Sequence, residues 1–182
     1  MLVGTLSLCN LFDKNVHHIV PLFQRPYVWE REKQWEPLWD DTRRIAERLL
    51  TGQPVRSHFL GASVHEKKAV PPGAIETRLV IDGQQRLTTL QILLQAFEDV
   101  AATLGLDMYR AALRNLTRNN HPLRQSPPQD FKIWPTNADQ ADFRTTMEAG
   151  SPQALRSALA LGVAMKSAGR QIPDAYLFLI RR

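Results

Sequence analysis

Apolar and polar positions divide the chain into short β segments and longer helical ones. From Arg78 to Ile81 the residues read as a short strand, and Asp82-Gly83 as a turn. Leu87, Leu90, Leu94, Phe97, Ala101 and Leu104 then recur at the i, i+3, i+4, i+7 spacing of one buried helix face. Upstream, Met1 to Phe12 is mildly apolar and predicts a strand or buried arm, with a turn at Asp13-Lys-Asn15. His17 to Val20 reads as a strand. Pro21 and Pro26 forbid a regular helix and favour an extended path as far as Trp29. Glu30 to Leu50 predicts a helix whose stripe Trp35, Leu38, Trp39, Thr42, Ile45, Ala46 and Leu49 faces the core, with Asp40 and Arg44 as an i, i+4 pair on the wet side. Thr51-Gly-Gln-Pro54 ends it.

His58 to His65 predicts a strand in which Gly61 marks a close approach by backbone or ligand. The Lys67–Glu76 stretch, with Pro71-Pro72-Gly73, reads as a hairpin-like loop. Met108 to Arg118 predicts a helix, Asn119 to Pro128 a loop, and Phe131 to Trp134 a short strand. Asn137 or Asp139 is positioned to cap a helix to Glu148, and Ser151-Pro152 to open another through about Ala168. A last helix starts at Ile172, is apolar through Ile180 and has no C-terminal cap by Arg182, the pattern expected of a domain that continues. There are no internal repeats.

The 182 residues suffice for one domain, or one and part of another. The single cysteine, Cys9, cannot form an intramolecular disulfide, which suits a reducing, cytoplasmic setting. The start lacks a basic leader segment, and no run approaches a membrane span. Charge is uneven. Residues 1–105 carry 12 Lys+Arg against 12 Asp+Glu, and residues 106–182 carry 11 against 6, which is the whole net charge of +5. Arg110, Arg114 and Arg118 fall at i, i+4, i+8, and Arg124 follows. Such a row is either a solvated helix face or a track for phosphate backbone.

The turn after Ile81 concentrates the candidate chemistry. Gly83 permits close backbone approach. Gln84, Gln85 and Arg86 occupy a first helical turn, where free N–H groups and the helix dipole attract anions, and an arginine adds a fork for phosphate oxygens. The plainer alternative makes Asp82 an N-cap and Arg86 a surface charge. Gln24, Arg25, Tyr27 and Trp29 in the proline-flanked loop supply amide, guanidinium and rings suited to a base, sugar or phosphate, with Trp29 expected mostly in the core. The histidines form no metal motif, and Walker A, G-x-G-x-x-G and G-x-S-x-G patterns do not occur.

Val20-Pro-Leu-Phe-Gln-Arg-Pro-Tyr-Val-Trp29, the Leu38-Trp-Asp-Asp41 helix, His58-Phe-Leu-Gly-Ala-Ser-Val64 and Val80-Ile-Asp-Gly-Gln-Gln-Arg-Leu-Thr-Thr-Leu90 occur in this order. Together, over roughly residues 15–145, they resemble the N-terminal domain of the GmrSD-type DNA restriction proteins, including the phosphorothioate-sensing SspE-like branch. The resemblance implies an α/β (α+β) fold: a ParB/sulfiredoxin-like small mixed sheet with helices, in a nucleotide-binding core over 1–135, followed by the start of a helical subdomain over 136–182. It implies nucleoside-triphosphate hydrolysis with Mg²⁺, coupled to sensing of double-stranded, modified DNA and to an HNH nuclease domain or subunit. No His-rich nuclease motif follows residue 121, so this piece is expected not to cut DNA.

The implied site assigns Asp82, Gln84, Gln85 and Arg86 to catalysis. Gln24, Arg25, Gly83, Thr88 and Thr89 are assigned to the nucleotide, and Pro26, Tyr27, Arg110, Arg114 and Arg118 to DNA. A small apolar-walled pocket near Pro26-Tyr27 would suit a sulfur. ParB-type proteins carry a glutamate where Gln84 stands, and a neutral amide is a poor Mg²⁺ ligand, which leaves Asp82 as the metal carboxylate. That departure keeps open a non-catalytic nucleotide- or DNA-binding module.

Overall fold

The computed structural model describes residues 3–120, 122, 126–161 and 170–182. Four strands form one mixed sheet in the order β2-β3-β1-β4. Strand β1 (Val16–Ile19) pairs in parallel with β3 (Glu76–Asp82) and with β4 (Ile133–Trp134). Strand β2 (Val64–Lys67) pairs antiparallel with β3, joined by the expected hairpin through Pro71-Pro72-Gly73. The α/β expectation therefore holds. Strand pairing covers only Val64–Lys67, so His58 to Ser63 runs as irregular loop where a strand was expected.

The organising helix is α3 (Gln84–Thr103). It is buried nearly all round, not on one face, because two sets of elements cover it. Leu87, Leu90 and Leu94 pack with Phe12, Val20, Val80 and Ile133 toward the sheet. Ile92, Leu93 and Ala96 pack on the other side with Tyr27, Trp35, Phe131, Phe143, Leu155, Tyr176 and Leu179. Neighbours answer several of its buried polar groups, although Gln91 Oε1 and Gln95 Oε1 have no hydrogen-bond partner among the described residues. Gln91 Nε2 donates to the Leu116 carbonyl at 2.9 Å, Thr117 donates to Glu98 at 3.0 Å, and the Tyr176 hydroxyl donates to Asp99 at 2.6 Å. Leu104, past the last turn, is exposed.

Helix α4 (Asp107–Thr117) returns antiparallel along α3, and α5 (Gln140–Glu148), α6 (Pro152–Leu161) and α7 (Gln171–Leu179) complete the second cluster. The expected boundary at 135 falls inside this shared core. The expected extension of α6 to Ala168 lies outside the described residues.

Two helical expectations change. The N-terminal arm is a short helix, α1 (Leu8–Phe12), capped by Ser7 Oγ accepting from Asn10 N, and Phe12 anchors it. Helix α2 (Glu36–Leu50) is preceded by one π-helical turn (Arg31–Trp35), and only Trp35 of the predicted stripe is fully buried. Leu38 and Trp39 reach the core, whereas Ala46, Leu49 and Leu50 are exposed, because no element among the described residues covers the last turns. Asp40 lies 3.9 Å from Arg43 and Asp41 pairs with Arg44, so the expected Asp40–Arg44 pair does not form. Among the described residues, no helix is long and apolar enough to cross a membrane.

Candidate functional site

The turn between β3 and α3 lines a pocket of about 450 Å³ with Gln24, Arg25, Trp29, Asp82, Gly83, Gln84, Gln85 and Arg86. Two segments 57 to 62 residues apart in sequence thus converge, as parallel β1 and β3 end side by side and release their loops at the same sheet edge. Gln24 fixes this junction by donating from Nε2 to the Ile81 carbonyl at 2.8 Å.

Gly83 has φ +91, the left-handed region, and a Cβ there would stand 2.9 Å from Ser63 Cβ. Both facts require glycine. Gly83 itself is the N-cap, so Asp82 does not cap the helix; its carboxylate is exposed at the pocket. The first intrahelical bond runs from Leu87 N to Gly83 O at 3.0 Å. The amides of Gln84, Gln85 and Arg86 precede it and form the positive end of the helix, the arrangement that favours an anion.

Arg86 reaches back over the loop before β2. Its Nη1 donates to Ala62 O at 2.7 Å, and its guanidinium lies where a Gly61 side chain would be. The close approach signalled by Gly61 is therefore made by Arg86. Gln84 is buried and sits 3.5 Å from Arg25 O through Nε2. Arg25 is exposed.

The other expected site residues have different roles. Gln85, expected in catalysis, is a backbone clamp: Oε1 accepts from Val28 N and Nε2 donates to Pro26 O, both at 2.9 Å. Thr88 and Thr89 are 2 % and 0 % exposed and face protein, not the pocket, since they lie a full turn past the helix start on its covered side. Tyr27, expected to touch base or DNA, is 5 % exposed.

The tyrosine sits in a directed chain. Trp35 Nε1 donates to its hydroxyl at 2.9 Å, the hydroxyl lies 2.7 Å from Thr89 Oγ1, and Thr89 donates onward to Gln85 O at 2.8 Å. Since Thr89 spends its proton on the carbonyl, Tyr27 is the donor to Thr89. Burial pushes the Tyr27 pKa up to about 12, so the hydroxyl keeps that proton. Asp139 closes the lock by accepting from Tyr27 N at 2.9 Å. Tyr27 therefore forms no wall for a sulfur. Trp29 is half-buried and lines the pocket, and Pro26 is exposed.

The arginine row is not a continuous track. Arg110 is exposed, but Arg114 pairs with buried Glu98 at 3.1 Å. Arg118 leaves the helix, lies over the Phe131 ring at 4.6 Å and donates to Met147 O. Burial lowers its pKa from the ordinary arginine value. Arg124 lies outside the described residues. The Arg114 contact is also about 22 Å along α3 from the pocket, taking 1.5 Å per residue between Gly83 and Glu98.

Among the described residues, no three His, Cys, Asp or Glu groups cluster to hold a metal, and Asp82 is the one carboxylate in the pocket lining. That donor set fits a hard cation arriving with phosphate and water ligands, not a cation held by protein alone.

Sequence reasoning missed the Gln85 and Asp139 clamps. The Gln-Gln pair was visible, but nothing in its spacing separates the amide facing the pocket from the one facing the loop. Residues 8–164 match the family of the GmrSD restriction endonuclease N-terminal domain. No curated protein matches the chain.

Proposed function

Because the chain belongs to the GmrSD restriction endonuclease N-terminal domain family, and so is a component of a restriction protein, we propose that its β3–α3 pocket hydrolyses a nucleoside triphosphate and that the hydrolysis serves the sensing of modified DNA. The observation that carries this reading is the convergence of Arg25 and Arg86 with the free amides of Gln84 to Arg86 in one 450 Å³ pocket. Two guanidinium groups and a helix N-terminus suit the crowded negative charge of a triphosphate.

The reaction is phosphoryl transfer to water, in which positioning and charge stabilisation do most of the work. The amides of Gln84 to Arg86 cradle phosphate oxygens. Arg86 swings from the Ala62 carbonyl onto the phosphates and stabilises the charge that develops on them. Arg25 closes the pocket from the loop side, with Gln84 orienting against it and Trp29 offering a ring to the base. The Gln85 and Tyr27 clamps keep that loop at a fixed distance from the helix. Asp82 would hold Mg²⁺ together with the phosphates, and the cation would neutralise phosphate charge there. Asp82 also suits the orientation of the attacking water.

A second reading is a binding module that switches on nucleotide or DNA phosphate without turnover. The single carboxylate in the lining favours it. The two separate by phosphate release from ATP, GTP, CTP and UTP with Mg²⁺, with and without plain or phosphorothioate DNA. Multiple turnover that falls about 100-fold or more in Arg86→Ala supports the hydrolase, the size expected for one preorganised donor. Nucleotide bound with no turnover establishes the switch instead.

A further inference from the structure

A second cavity, of about 340 Å³, lies on the sheet face turned away from α3 and shares no residue with the nucleotide pocket. Its floor is His17 and Ile19 of β1, Thr77 of β3 and Trp134 of β4. Its walls are Lys68 to Val70 from the β2–β3 hairpin on one side and Ser126, Pro128 and Gln129 on the other. The volume lies near the lower end for small-molecule sites, about 300–1,000 Å³.

His17 marks this cavity as more than a gap between loops. The side chain is 3 % exposed, and its Nδ1 lies 3.0 Å from the Phe131 carbonyl. A carbonyl only accepts, so Nδ1 carries the proton and Nε2 carries a lone pair. Nε2 has no protein partner, although the imidazole lines the cavity. Burial lowers the His17 pKa, which keeps that lone pair available. Nε2 faces the open groove and is not sealed from water, so a ligand gains there by replacing the hydrogen bond that water would make. A ligand that displaces that water must bring an N–H or O–H of its own.

The remaining lining selects among such ligands. Ile19, Val70, Pro128 and Trp134 suit a flat ring, and Thr77, Ser126 and Gln129 suit polar groups on its rim. The Trp134 ring already has Phe131 stacked at 5.7 Å and Arg144 at 5.3 Å, and the ligand lies between the Val70 and Pro128 walls. Lys68 is exposed at the mouth and offers a positive charge just outside. A slot with apolar walls at Val70 and Pro128, polar Thr77, Ser126 and Gln129, an acceptor at its floor and a cation at its rim fits a nucleobase that enters while its phosphate stays outside.

We propose that this groove takes up a single base extruded from DNA, with a base N–H donated to His17 Nε2 and the flanking phosphate held by Lys68. The proposal rests on the reading that the protein works on DNA, and it gives that reading a site distinct from the triphosphate pocket.

The test uses the full chain and duplexes carrying 2-aminopurine in a mismatch, with fluorescence reporting unstacking and anisotropy reporting affinity. The expected result is a several-fold rise in fluorescence with wild type. Val70→Trp, which fills the slot from its rim, is expected to abolish that rise and weaken mismatch-duplex binding about tenfold. Lys68→Glu is expected to weaken affinity while the residual complex still shows the fluorescence rise. Melting temperature and triphosphate turnover, measured on the same variants, stay at wild-type values.

The proposal is overturned if wild type gives no rise, if Val70→Trp leaves rise and affinity unchanged, or if only free 2-aminopurine riboside binds. Loss of turnover in Arg86→Ala with the fluorescence response intact would show the two sites to be separate. Absence of turnover in wild type would remove the hydrolase reading while leaving this result standing.

Discussion

The guanidinium of Arg86 occupies the space that a side chain at Gly61 would fill: a Cβ built on Gly61 would stand 2.5 Å from Arg86 Cζ. The two residues are 25 positions apart, and their contact ties the loop before β2 to the first turn of α3. Gly61 also has φ +100, where L side chains are strained.

Gly61→Ala therefore has two separable effects. The backbone strain is expected to lower stability by about 1–3 kcal/mol, read as a lowered melting temperature. The methyl group also expels Arg86 from its contact with Ala62 O. Triphosphate affinity then changes by more than the stability loss explains. An alanine variant with wild-type nucleotide affinity would show that the Arg86 resting position is irrelevant to binding.

Tyr27→Phe removes one oxygen from the chain linking Trp35, Tyr27 and Thr89. Trp35 Nε1 loses its acceptor inside the core. A loss of about 1–3 kcal/mol follows from leaving a buried donor unpaired. Because Tyr27 is buried, DNA affinity at fixed folded fraction is expected to be unchanged. A specific fall in DNA affinity, with stability intact, would contradict the buried position.

Acid is expected to destabilise the fold through its histidines. His18 is buried, with its pKa lowered to about 3, first by burial and then by His65, whose Nδ1 stands 3.1 Å from His18 Nδ1. Burial also lowers the pKa of His17 and His65. A histidine with a depressed folded pKa binds fewer protons folded than unfolded, so stability falls as pH drops below the ordinary 6.5 and continues to fall toward about 3. Asp99 has a raised pKa from burial and acts in the opposite sense, since its neutral form is favoured in the fold. Melting temperatures between pH 8 and pH 4 check this. His18→Gln is expected to flatten the profile; an unchanged slope would move the cause elsewhere.

Truncation after Pro135 tests how far the first 135 residues form a core of their own. It removes Phe143, Leu155, Ile172, Tyr176 and Leu179, which share one cluster with Ile92, Leu93 and Ala96 of α3. It also removes the Tyr176 partner of buried Asp99. The truncated chain is expected to lose cooperative unfolding and to bind a hydrophobic dye. A cooperative melt at the full-length temperature would establish an independent first unit.

Several features of the site were legible because they are local. The strand-turn-helix at Arg78 to Leu90 follows from side-chain periodicity, and Gly83 from the turn it must make. Gly61 announced a close approach, although only the fold shows that Arg86 makes it. The misread residues depend on contacts distant in sequence. Gln85 looks like a ligand-facing amide until Pro26 and Val28 are placed beside it. Arg118 continues the spacing of Arg110 and Arg114, yet Phe131 and Met147 draw it inward.

By itself the sequence determined that short strands alternate with longer helices and that a glycine turn leads from β3 into α3. Those properties depend on dihedral preference and on residues within a turn or two of each other. Only the tertiary structure decided which polar groups remain available. Burial on all sides of α3, exposure at the end of α2, the Tyr27 lock and the groove onto which His17 opens arise when segments remote in sequence pack together. A polar side chain serves the core or the solvent according to the surface its neighbours leave open.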